Sequence, residues 1–376
     1  MNPLHSSELA EKIKKKETVH LLDIRQEADV QDWAIDSSSV KRYDIPFASI
    51  KADPAAARQQ LPAHDPVYVM CYRGKSAQTA VSLLEAAGMD NIVHVVGGMS
   101  AWGETISPRK IGDLTYGGSI YQFMRIGKGC LSYMIVSNGE AAVVDPARFT
   151  EDYVSFANEN GWTIKHVLDT HLHADHLSGG RKLAEETGAT YWFPAEDGKE
   201  ATFEFSPLQD GIKIPFGQIE EGMRSIASPG HTEGSVSFVV DDTYLLSGDI
   251  LFTESIGRPD LAGHAEQWVL DLHDTLFEKF PLLSLDLIVL PAHFSELSEI
   301  GPDGTVQARM EDLYRRNRRL QMEDPSQFTS SVLKSIPTQQ PNSYQLIREV
   351  NQGKMTIAES EEADMESGPN RCAVTS

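Results

Sequence analysis

IKHVLDTHLHADH, residues 164–176, runs from an apolar, strand-like segment directly into three histidines and an aspartate. His171, His173, Asp175 and His176 fall within six residues, a density that packing alone does not require. Alternation along an extended turn aims His171 and His173 the same way, and the other two toward a neighbouring point. Imidazole and carboxylate groups are metal ligands, so the pattern predicts a metal site with room for two adjacent positions.

Three further ligand candidates follow apolar runs later in the chain. His231 lies in SPGHTEGS (228–235), Asp249 ends YLLSGD (244–249), and His293 ends LIVLPAH (287–293). Each has an ordinary alternative as a turn or structural residue. Their shared position after buried strands groups them with the histidine cluster.

The segments around these residues predict two strand-rich halves with helices between them. Predicted strands cover 120–126, 131–136, 141–145, 163–168, 224–227, 236–240, 244–247 and 287–290, and predicted helices lie near 151–160 and 265–278. This order favours two sheets packed between helices. Ser107-Pro108 and the glycine-containing stretch 112–118 mark the predicted junction with the preceding segment.

The ordered ligand set resembles the metallo-β-lactamase superfamily over roughly residues 112–325. The resemblance implies an αββα sandwich with its site along one edge, and a full ligand set that permits two metals. In that arrangement the first site would hold His171, His173 and His231, and the second Asp175, His176, bridging Asp249 and His293. Such a site would suit a binuclear-zinc thioester hydrolase of the hydroxyacylglutathione type.

A narrower resemblance, to persulfide dioxygenases, rests on THLHADHLSGG (170–180), SPGHTEGSVSF (228–238), SGDILF (247–252) and GRPDL (257–261). It implies one Fe(II) held by His171, His231 and Asp249, a 2-His-1-carboxylate set with open positions for O2 and substrate. The remaining candidates would then orient the ligands or hydrogen-bond the substrate: His173, Asp175, His176 and His293. Arg258 would grip an anionic thiol substrate, or else form an ion pair that stabilises the fold.

The first segment of the chain has a cysteine on a loop. Strands at 19–23, 67–70 and 92–96, with a helix at 78–87, predict a small parallel sheet. The loop CYRGKS (71–76) places Cys71 after a strand and just before a helix N-terminus, where backbone N–H groups stabilise a thiolate or persulfide anion. Arg73 and Lys75 add positive charge, which favours a reactive thiol over a small buried cysteine.

This segment resembles a rhodanese domain through LLDIR (21–25), CYRGKSA (71–77) and VVGGMSAW (95–102). The resemblance implies a sulfurtransferase in which Cys71 accepts a persulfide sulfur. Asp23 and Arg25 match an Asp-x-Arg motif of the family and are interpreted as a structural pair.

Together these features predict an N-terminal rhodanese-like α/β domain (1–107), a metallo-β-lactamase αββα sandwich (108–353) and an acidic C-terminal tail (354–376). The predicted activity is Fe(II)-dependent oxidation of a low-molecular-weight thiol persulfide by O2 to sulfite and thiol. The sequence leaves open whether the thiol carrier is glutathione, coenzyme A, bacillithiol or another thiol, and Cys71 would exchange sulfur with persulfide, thiosulfate or sulfite. The alternatives are the zinc thioester hydrolase and a non-catalytic role of the rhodanese domain in sulfide sensing or partner docking.

Composition excludes several other classes of protein. The 376 residues have a net charge of −22, of which −16 lies in residues 108–353, which argues against a nucleic-acid binder. No stretch approaches the roughly 20 apolar residues of a membrane span. Three cysteines suit a reducing, cytoplasmic environment rather than a disulfide framework, and the chain leaves room for a homo-oligomer.

The two remaining cysteines differ in their surroundings. Cys130 begins an apolar strand, so a buried structural role is expected. Cys372 is ambiguous: the preceding stretch 358–367 is acidic and could be disordered, whereas GPNRCAV (368–374) is less polar and could dock back onto the protein.

Overall fold

The computed structural model of the chain describes residues 2–115, 117–259, 265–336 and 343–374. The N-terminal part is a four-stranded, all-parallel sheet in the order β2-β1-β3-β4. Its strands are β1 (Val19–Asp23), β2 (Val40–Asp44), β3 (Val67–Met70) and β4 (Ile92–His94). Its helices are α1 (Ser6–Lys14), α2 (Glu27–Asp32), α3 (Phe47–Ala52), α4 (Pro54–Arg58), α5 (Lys75–Ala86) and α6 (Gly98–Glu104). Parallel pairing needs a crossover between strands, and the intervening helices provide it.

The next seven strands form a mixed sheet in the order β11-β10-β9-β8-β7-β6-β5. They are β5 (Ile106–Asp113), β6 (Ser119–Arg125), β7 (Cys130–Ser137), β8 (Glu140–Val144), β9 (Thr163–Leu168), β10 (Thr190–Pro194) and β11 (Ser206–Leu208). The helices α7 (Thr150–Glu159) and α8 (Gly180–Thr187) lie between its later strands. Strand β5 crosses the predicted junction at Ser107-Pro108 and pairs with β6 throughout its length.

A second, six-stranded sheet has the order β12-β13-β14-β15-β17-β18. The strands are β12 (Lys213–Phe216), β13 (Ile219–Ala227), β14 (Val236–Val240), β15 (Tyr244–Gly248), β17 (Ile288–Pro291) and β18 (Ala308–Arg309), and the short β16 (Ile256–Gly257) lies outside it. The helices are α9 (Ala265–Asp274), α10 (Met310–Arg316) and α11 (Pro325–Ser335). Short helical turns occupy Asp197–Glu200, Thr275–Lys279, Phe280–Leu282, Leu297–Glu299 and Arg318–Gln321.

The two large sheets face each other across one buried apolar core. Tyr133 and Ile135 of the first sheet share this core with Phe238 and Leu246 of the second. Helices α7 and α8 cover the outer face of the first sheet, and α9 to α11 cover the outer face of the second. The architecture is therefore an αββα sandwich, and the predicted fold class is confirmed.

The N-terminal domain is joined to the sandwich by specific contacts. Trp33 Nε1 donates to the carbonyl of Gly127 at 3.0 Å, and Arg125 Nε donates to the carbonyl of Gly103 at 2.6 Å. A Cβ atom at Gly127 would lie 2.3 Å from the carbonyl oxygen of Trp102, so only glycine permits this approach.

The C-terminal residues return to the sandwich. They form α12 (Ser343–Asn351), α13 (Glu359–Met365) and β19 (Ala373–Val374), and β19 pairs antiparallel with β16. The acidic stretch 358–367 is therefore largely helical, and the less polar end of the chain docks back. Among the described residues, no helix combines the length and apolar character needed to cross a bilayer.

Candidate metal centre and cysteine loop

The loop after β3 holds Cys71 in a narrow backbone cradle. Cys71 is 6% exposed, and the backbone N–H of Gly74 donates to its Sγ at 3.1 Å. Gly74 has φ 84 and immediately precedes α5, so the thiol lies at the N-terminus of that helix. A Cβ atom at Gly98 would lie 2.1 Å from the Cys71 carbonyl oxygen, which explains a glycine there. The cradle can stabilise a sulfur anion.

The two cations predicted beside Cys71 have different surroundings. Arg73 forms a surface ion pair with Asp364, with Nη2 2.8 Å from the carboxylate, while Lys75 is exposed at the first position of α5. Tyr72 Oη also lies 3.0 Å from Ser367 Oγ. The C-terminal segment, residues 343–374, therefore contacts the cysteine loop directly. Asp23 and Arg25 form a buried ion pair at 2.7 Å, as a structural pair should.

The histidine cluster follows β9 in a loop that precedes α8. Every one of the metal-site candidates on this loop and at the later strand ends is at most 2% exposed: His171, His173, Asp175, His176, His231, Asp249 and His293. Buried imidazole and carboxylate groups must be paired or must bind metal. The structure brings all seven into one region, divided into three neighbouring groups.

The first group is His171, His231 and Asp249. One ligand atom from each lies within 4.8 Å of the other two. Asp249 Oδ2 is 3.4 Å from His231 Nε2 and 3.7 Å from His171 Nε2. Across the described residues, none of these three buried atoms has a hydrogen-bond partner. Three unpartnered ligand atoms facing one another fit a metal ion better than they fit an apolar core.

Hydrogen bonds behind the two imidazoles fix which nitrogen faces the group. His231 Nδ1–H donates to the Arg258 carbonyl at 2.7 Å. His171 Nδ1 lies 2.9 Å from Thr170 Oγ1, whose hydroxyl donates to Asp145 Oδ2 and therefore accepts from the imidazole. Both rings thus present an Nε2 lone pair to the group, as metal-binding histidines do.

The charge states of this group also suit a metal. Burial lowers the pKa of His171 well below its ordinary value and lowers that of His231, so both rings are neutral near pH 7. Burial alone would raise the pKa of Asp249, but the neighbouring His293, whose own pKa is raised, holds it far below its ordinary value. Neutral imidazole and ionised carboxylate are the forms that bind metal.

The second group is Cys130, Asp175, His176 and His293. Asp175 Oδ1 is 3.0 Å from His176 Nδ1, and Asp175 Oδ2 is 3.0 Å from His293 Nε2. His293 Nδ1 reaches Asp249 Oδ1 at 2.6 Å, which links the two groups. The carboxylates beside them overcome burial and raise the pKa of His293 well above its ordinary value and that of His176 to about 9.

Cys130 is buried, as expected from the sequence, but it contacts the site. Its Sγ lies 3.7 Å from Asp175 Oδ2. Burial would raise the pKa of this thiol, but the neighbouring His293 and His176 lower it to about 7. The second group can therefore offer sulfur, nitrogen and oxygen ligands to a soft divalent metal.

His173 is turned toward a third group, with Asp145 and Asp169. Its Nε2 lies 3.3 Å from Asp145 Oδ1 and 3.7 Å from Asp169 Oδ1. Asp145 has φ 52, a left-handed conformation uncommon for aspartate, and it accepts hydrogen bonds from the N–H and hydroxyl of Thr170. The sequence analysis missed both aspartates, although each follows a buried strand as the predicted ligands do.

The backbone carbonyl of Arg258 contacts the first group through His231, and the guanidinium of Arg258 is buried. It is 1% exposed, and within the described ranges none of its three side-chain nitrogens has a hydrogen-bond partner. The buried Tyr344 hydroxyl also lacks a partner within the described part of the chain. Burial raises the pKa of Tyr344, and the nearby Arg258 guanidinium counters part of that rise. A buried guanidinium without hydrogen-bond partners among the described residues can bind an anion. Asp260 and Leu261 of the GRPDL motif lie outside the described residues.

Cys372 also reaches the centre, which sequence reasoning did not predict. Its side chain is fully buried, and its Sγ lies within 4.8 Å of ligand atoms of Asp249 and His293. The signal in the sequence was the low polarity of GPNRCAV after an acidic stretch. The low polarity of this stretch does not show that Cys372 lies beside Asp249 and His293.

Comparisons with known proteins agree with this architecture. A family model for the metallo-beta-lactamase superfamily matches residues 125–293, and one for the rhodanese-like domain matches residues 6–105. Hydroxyacylglutathione hydrolase of Rhodospirillum rubrum is 32% identical over 133 residues, 35% of this chain and 51% of that protein. The chain thus spans about half the length of that relative.

Mitochondrial persulfide dioxygenase ETHE1 of Bos taurus is 28% identical over 204 residues, 51% of this chain and 77% of that protein. The crystal structure of ETHE1 from Myxococcus xanthus has a TM-score of 0.54 at 23% identity, covering 62% of this chain and 98% of that one. This likeness shows the fold of the sandwich domain. The chain therefore contains a rhodanese-like domain followed by a metallo-β-lactamase domain.

Proposed function

We propose that this protein oxidises a low-molecular-weight thiol persulfide with O2, giving sulfite and the free thiol. The reaction balances as RSSH + O2 + H2O → RSH + SO3²⁻ + 2 H⁺. The group formed by His171, His231 and Asp249 carries the proposal, because two neutral imidazoles and one carboxylate are the ligand set of non-haem Fe(II) oxygenases. Fe(II), when bound, supplies adjacent open positions for O2 and a sulfur ligand.

The surrounding residues have roles that follow from their contacts. Arg258 offers a buried guanidinium to the anionic part of the persulfide and so positions it beside the ligand group. His293 contacts Asp249 and holds the carboxylate in place. The near-complete burial of the ligands keeps bulk water away from a reactive sulfur species.

The rhodanese-like domain acts on the same class of compound. A persulfide on Cys71 can transfer its outer sulfur to sulfite, giving thiosulfate and the free Cys71 thiolate. This transfer needs no external oxidant or reductant. The Gly74 N–H and the N-terminus of α5 stabilise the leaving thiolate. Arg73 and Lys75 would attract the dianionic acceptor to this loop.

A second candidate function is a binuclear-metal thioester hydrolase. One observation favours this alternative, namely a second group of potential ligands formed by Cys130, Asp175, His176 and His293. The contact between His293 and Asp249 connects this group to the first. Two adjacent metals would suit an activated bridging water. Hydroxyacylglutathione hydrolases among the relatives are compatible with this alternative.

Metal analysis of anaerobically purified protein, combined with oxygen uptake after addition of glutathione persulfide, tests the proposal. One iron per chain, with sulfite formed in step with oxygen consumed, supports the dioxygenase. Two zinc ions per chain, thioester cleavage and no oxygen uptake would establish the hydrolase instead.

A further inference from the structure

Backbone hydrogen bonds hold the C-terminal segment against the metal centre. The backbone N–H of Arg258 donates to the Cys372 carbonyl at 2.7 Å, while the Arg258 carbonyl accepts from His231 Nδ1 at the same distance. One residue thus orients a metal-site histidine with its carbonyl and fixes Cys372 with its N–H. The antiparallel pairing of β16 with β19 adjoins this hydrogen bond, with Gly257 opposite Ala373 and Ile256 opposite Val374.

Asn370 ties the chain down just before Cys372. Its backbone N–H and side-chain Nδ2 both donate to the Lys128 carbonyl at 3.1 Å, and Nδ2 also donates to the Phe294 carbonyl at 2.8 Å. Phe294 directly follows His293, so this anchor is attached to the metal site itself. Gly129 leaves room for the amide, because a Cβ atom there would lie 2.6 Å from Nδ2.

Cys372 lies beside a buried carboxylate oxygen that has no hydrogen-bond partner among the described residues. That atom is Asp249 Oδ2. The Cys372 Sγ lies within 4.8 Å of ligand atoms of Asp249 and of His293, whose Nε2 is 3.0 Å from Asp175 Oδ2. An inert core thiol is ordinarily surrounded by apolar groups. Here it faces a carboxylate and an imidazole that also border the first ligand group.

We propose that Cys372 is a built-in thiolate ligand of the metal centre, supplied by the C-terminal segment. This role of Cys372 goes beyond the proposed function, since it requires only that a metal be bound at His171, His231 and Asp249. A thiolate at this position would occupy the place at which a thiol-derived substrate sulfur approaches. Substrate would then enter as the segment releases Cys372, and the thiol proton lost on metal binding would be regained.

Cobalt substitution of the full-length protein tests this ligand. Metal is removed with a chelator and replaced by Co(II), whose bonds to thiolate give intense near-ultraviolet charge-transfer absorption that nitrogen and oxygen ligands do not give. We expect the wild type to show this absorption, and Cys372→Ser to lose all or part of it. Cys71→Ser, which changes a thiol in the other domain, should match the wild type.

Cys130→Ser separates the two thiols near the centre. Absorption that is absent from the wild type, or that is undiminished in Cys372→Ser, overturns the proposal. A band lost in Cys130→Ser and unchanged in Cys372→Ser assigns the ligand to Cys130 and overturns it equally.

Alkylation of the wild type provides a readout that needs no variant to fold. Iodoacetamide labelling of Cys372, followed by peptide mass spectrometry, should be at least about tenfold slower in the Zn(II)-loaded than in the chelator-treated protein, because a bound thiolate is a poor nucleophile. Labelling of Cys71 should be the same in both. Equal rates at Cys372 would overturn the proposal. Neither experiment uses iron, O2 or persulfide, so its failure leaves the dioxygenase proposal standing.

Discussion

Glu366 Oε2 accepts a hydrogen bond from Arg125 Nη2 at 2.8 Å, with both side chains almost fully buried. The same oxygen accepts from Arg148 Nε at 2.9 Å, and Oε1 accepts from the Leu177 N–H at 2.6 Å. Leu177 directly follows His176. This carboxylate therefore connects the C-terminal segment to both the sandwich and the histidine loop.

Removing this charge should destabilise the protein strongly. Glu366→Gln leaves Arg125 buried without its counter-charge, and breaking one side of a buried ion pair costs on the order of 3–5 kcal/mol. Urea unfolding followed by circular dichroism measures the loss. Glu362→Gln is the matched control, since Glu362 is partly exposed and contacts Arg148 at 3.2 Å. Its expected cost is at most about 1 kcal/mol. Equal losses for the two variants would show that burial of the pair is not responsible.

The same carboxylate predicts a pH dependence of stability. Burial would raise the pKa of Glu366, but Arg125 and Arg148 lower it from 4.5 to about 2. A lowered folded-state pKa contributes stability that is complete above pH 4.5 and lost as the pH falls toward 2. The shift corresponds to about 3 kcal/mol. Denaturation curves between pH 6 and pH 3 should show this acid-side loss in the wild type and a shallower one in Glu366→Gln. An equal loss of stability with falling pH in the wild type and in Glu366→Gln would argue against this role of Glu366.

Arg258→Met should weaken anion binding while sparing the metal. The three side-chain nitrogens have no hydrogen-bond partner in the part of the chain that the structure describes, whereas the backbone carbonyl orients His231, so metal content should not change. Sulfite should raise the melting temperature of the wild type and have little effect on the variant. KM for the persulfide should rise at least about tenfold, equivalent to 1.4 kcal/mol. Arg316→Met, at an exposed helical position, is the control. Equal sulfite responses in wild type and Arg258→Met would exclude this anion site.

The sequence was informative where the chemistry is local. His171 to His176 follow one strand within six residues, and the Cys71 loop is contiguous, so each could be recognised without knowing the tertiary structure. Asp145 and Asp169 could not be assigned to His173, because their approach depends on the pairing of β8 with β9. An aspartate after a strand is common, and nothing in the order of residues shows which imidazole it faces.

The C-terminal segment was harder to predict because composition does not show which charges become paired. Its glutamates predicted a solvated or disordered stretch. Glu366 instead meets Arg125 and Arg148 in a buried site, and Cys372 is fixed by a two-residue strand whose partner lies more than a hundred residues earlier. Such pairing arises from tertiary packing and leaves no periodic pattern in the sequence.

Cys71→Ser should abolish sulfur transfer from thiosulfate to a thiol acceptor. A hydroxyl cannot form the persulfide, although it can accept the Gly74 N–H that Sγ accepts in the wild type. Product formation should fall to the background rate, while iron content and oxygen uptake with added persulfide stay unchanged. Cys130→Ser should retain full transfer activity. Transfer that persists in Cys71→Ser would assign the sulfur to another residue.

Single histidine variants should distinguish the two groups of ligands by metal content. His231→Gln removes one of the three unpartnered atoms around Asp249 and should lose the iron. His176→Gln should retain one iron per chain, because His176 pairs with Asp175 rather than with the first group. His166→Gln, on β9 and hydrogen-bonded to Trp192 Nε1, is the control for general effects of substitution. Iron is measured after anaerobic loading, with circular dichroism to verify folding. A wild type with two metals that falls to one in His176→Gln would instead place a second metal between Asp175 and His293, as the hydrolase requires.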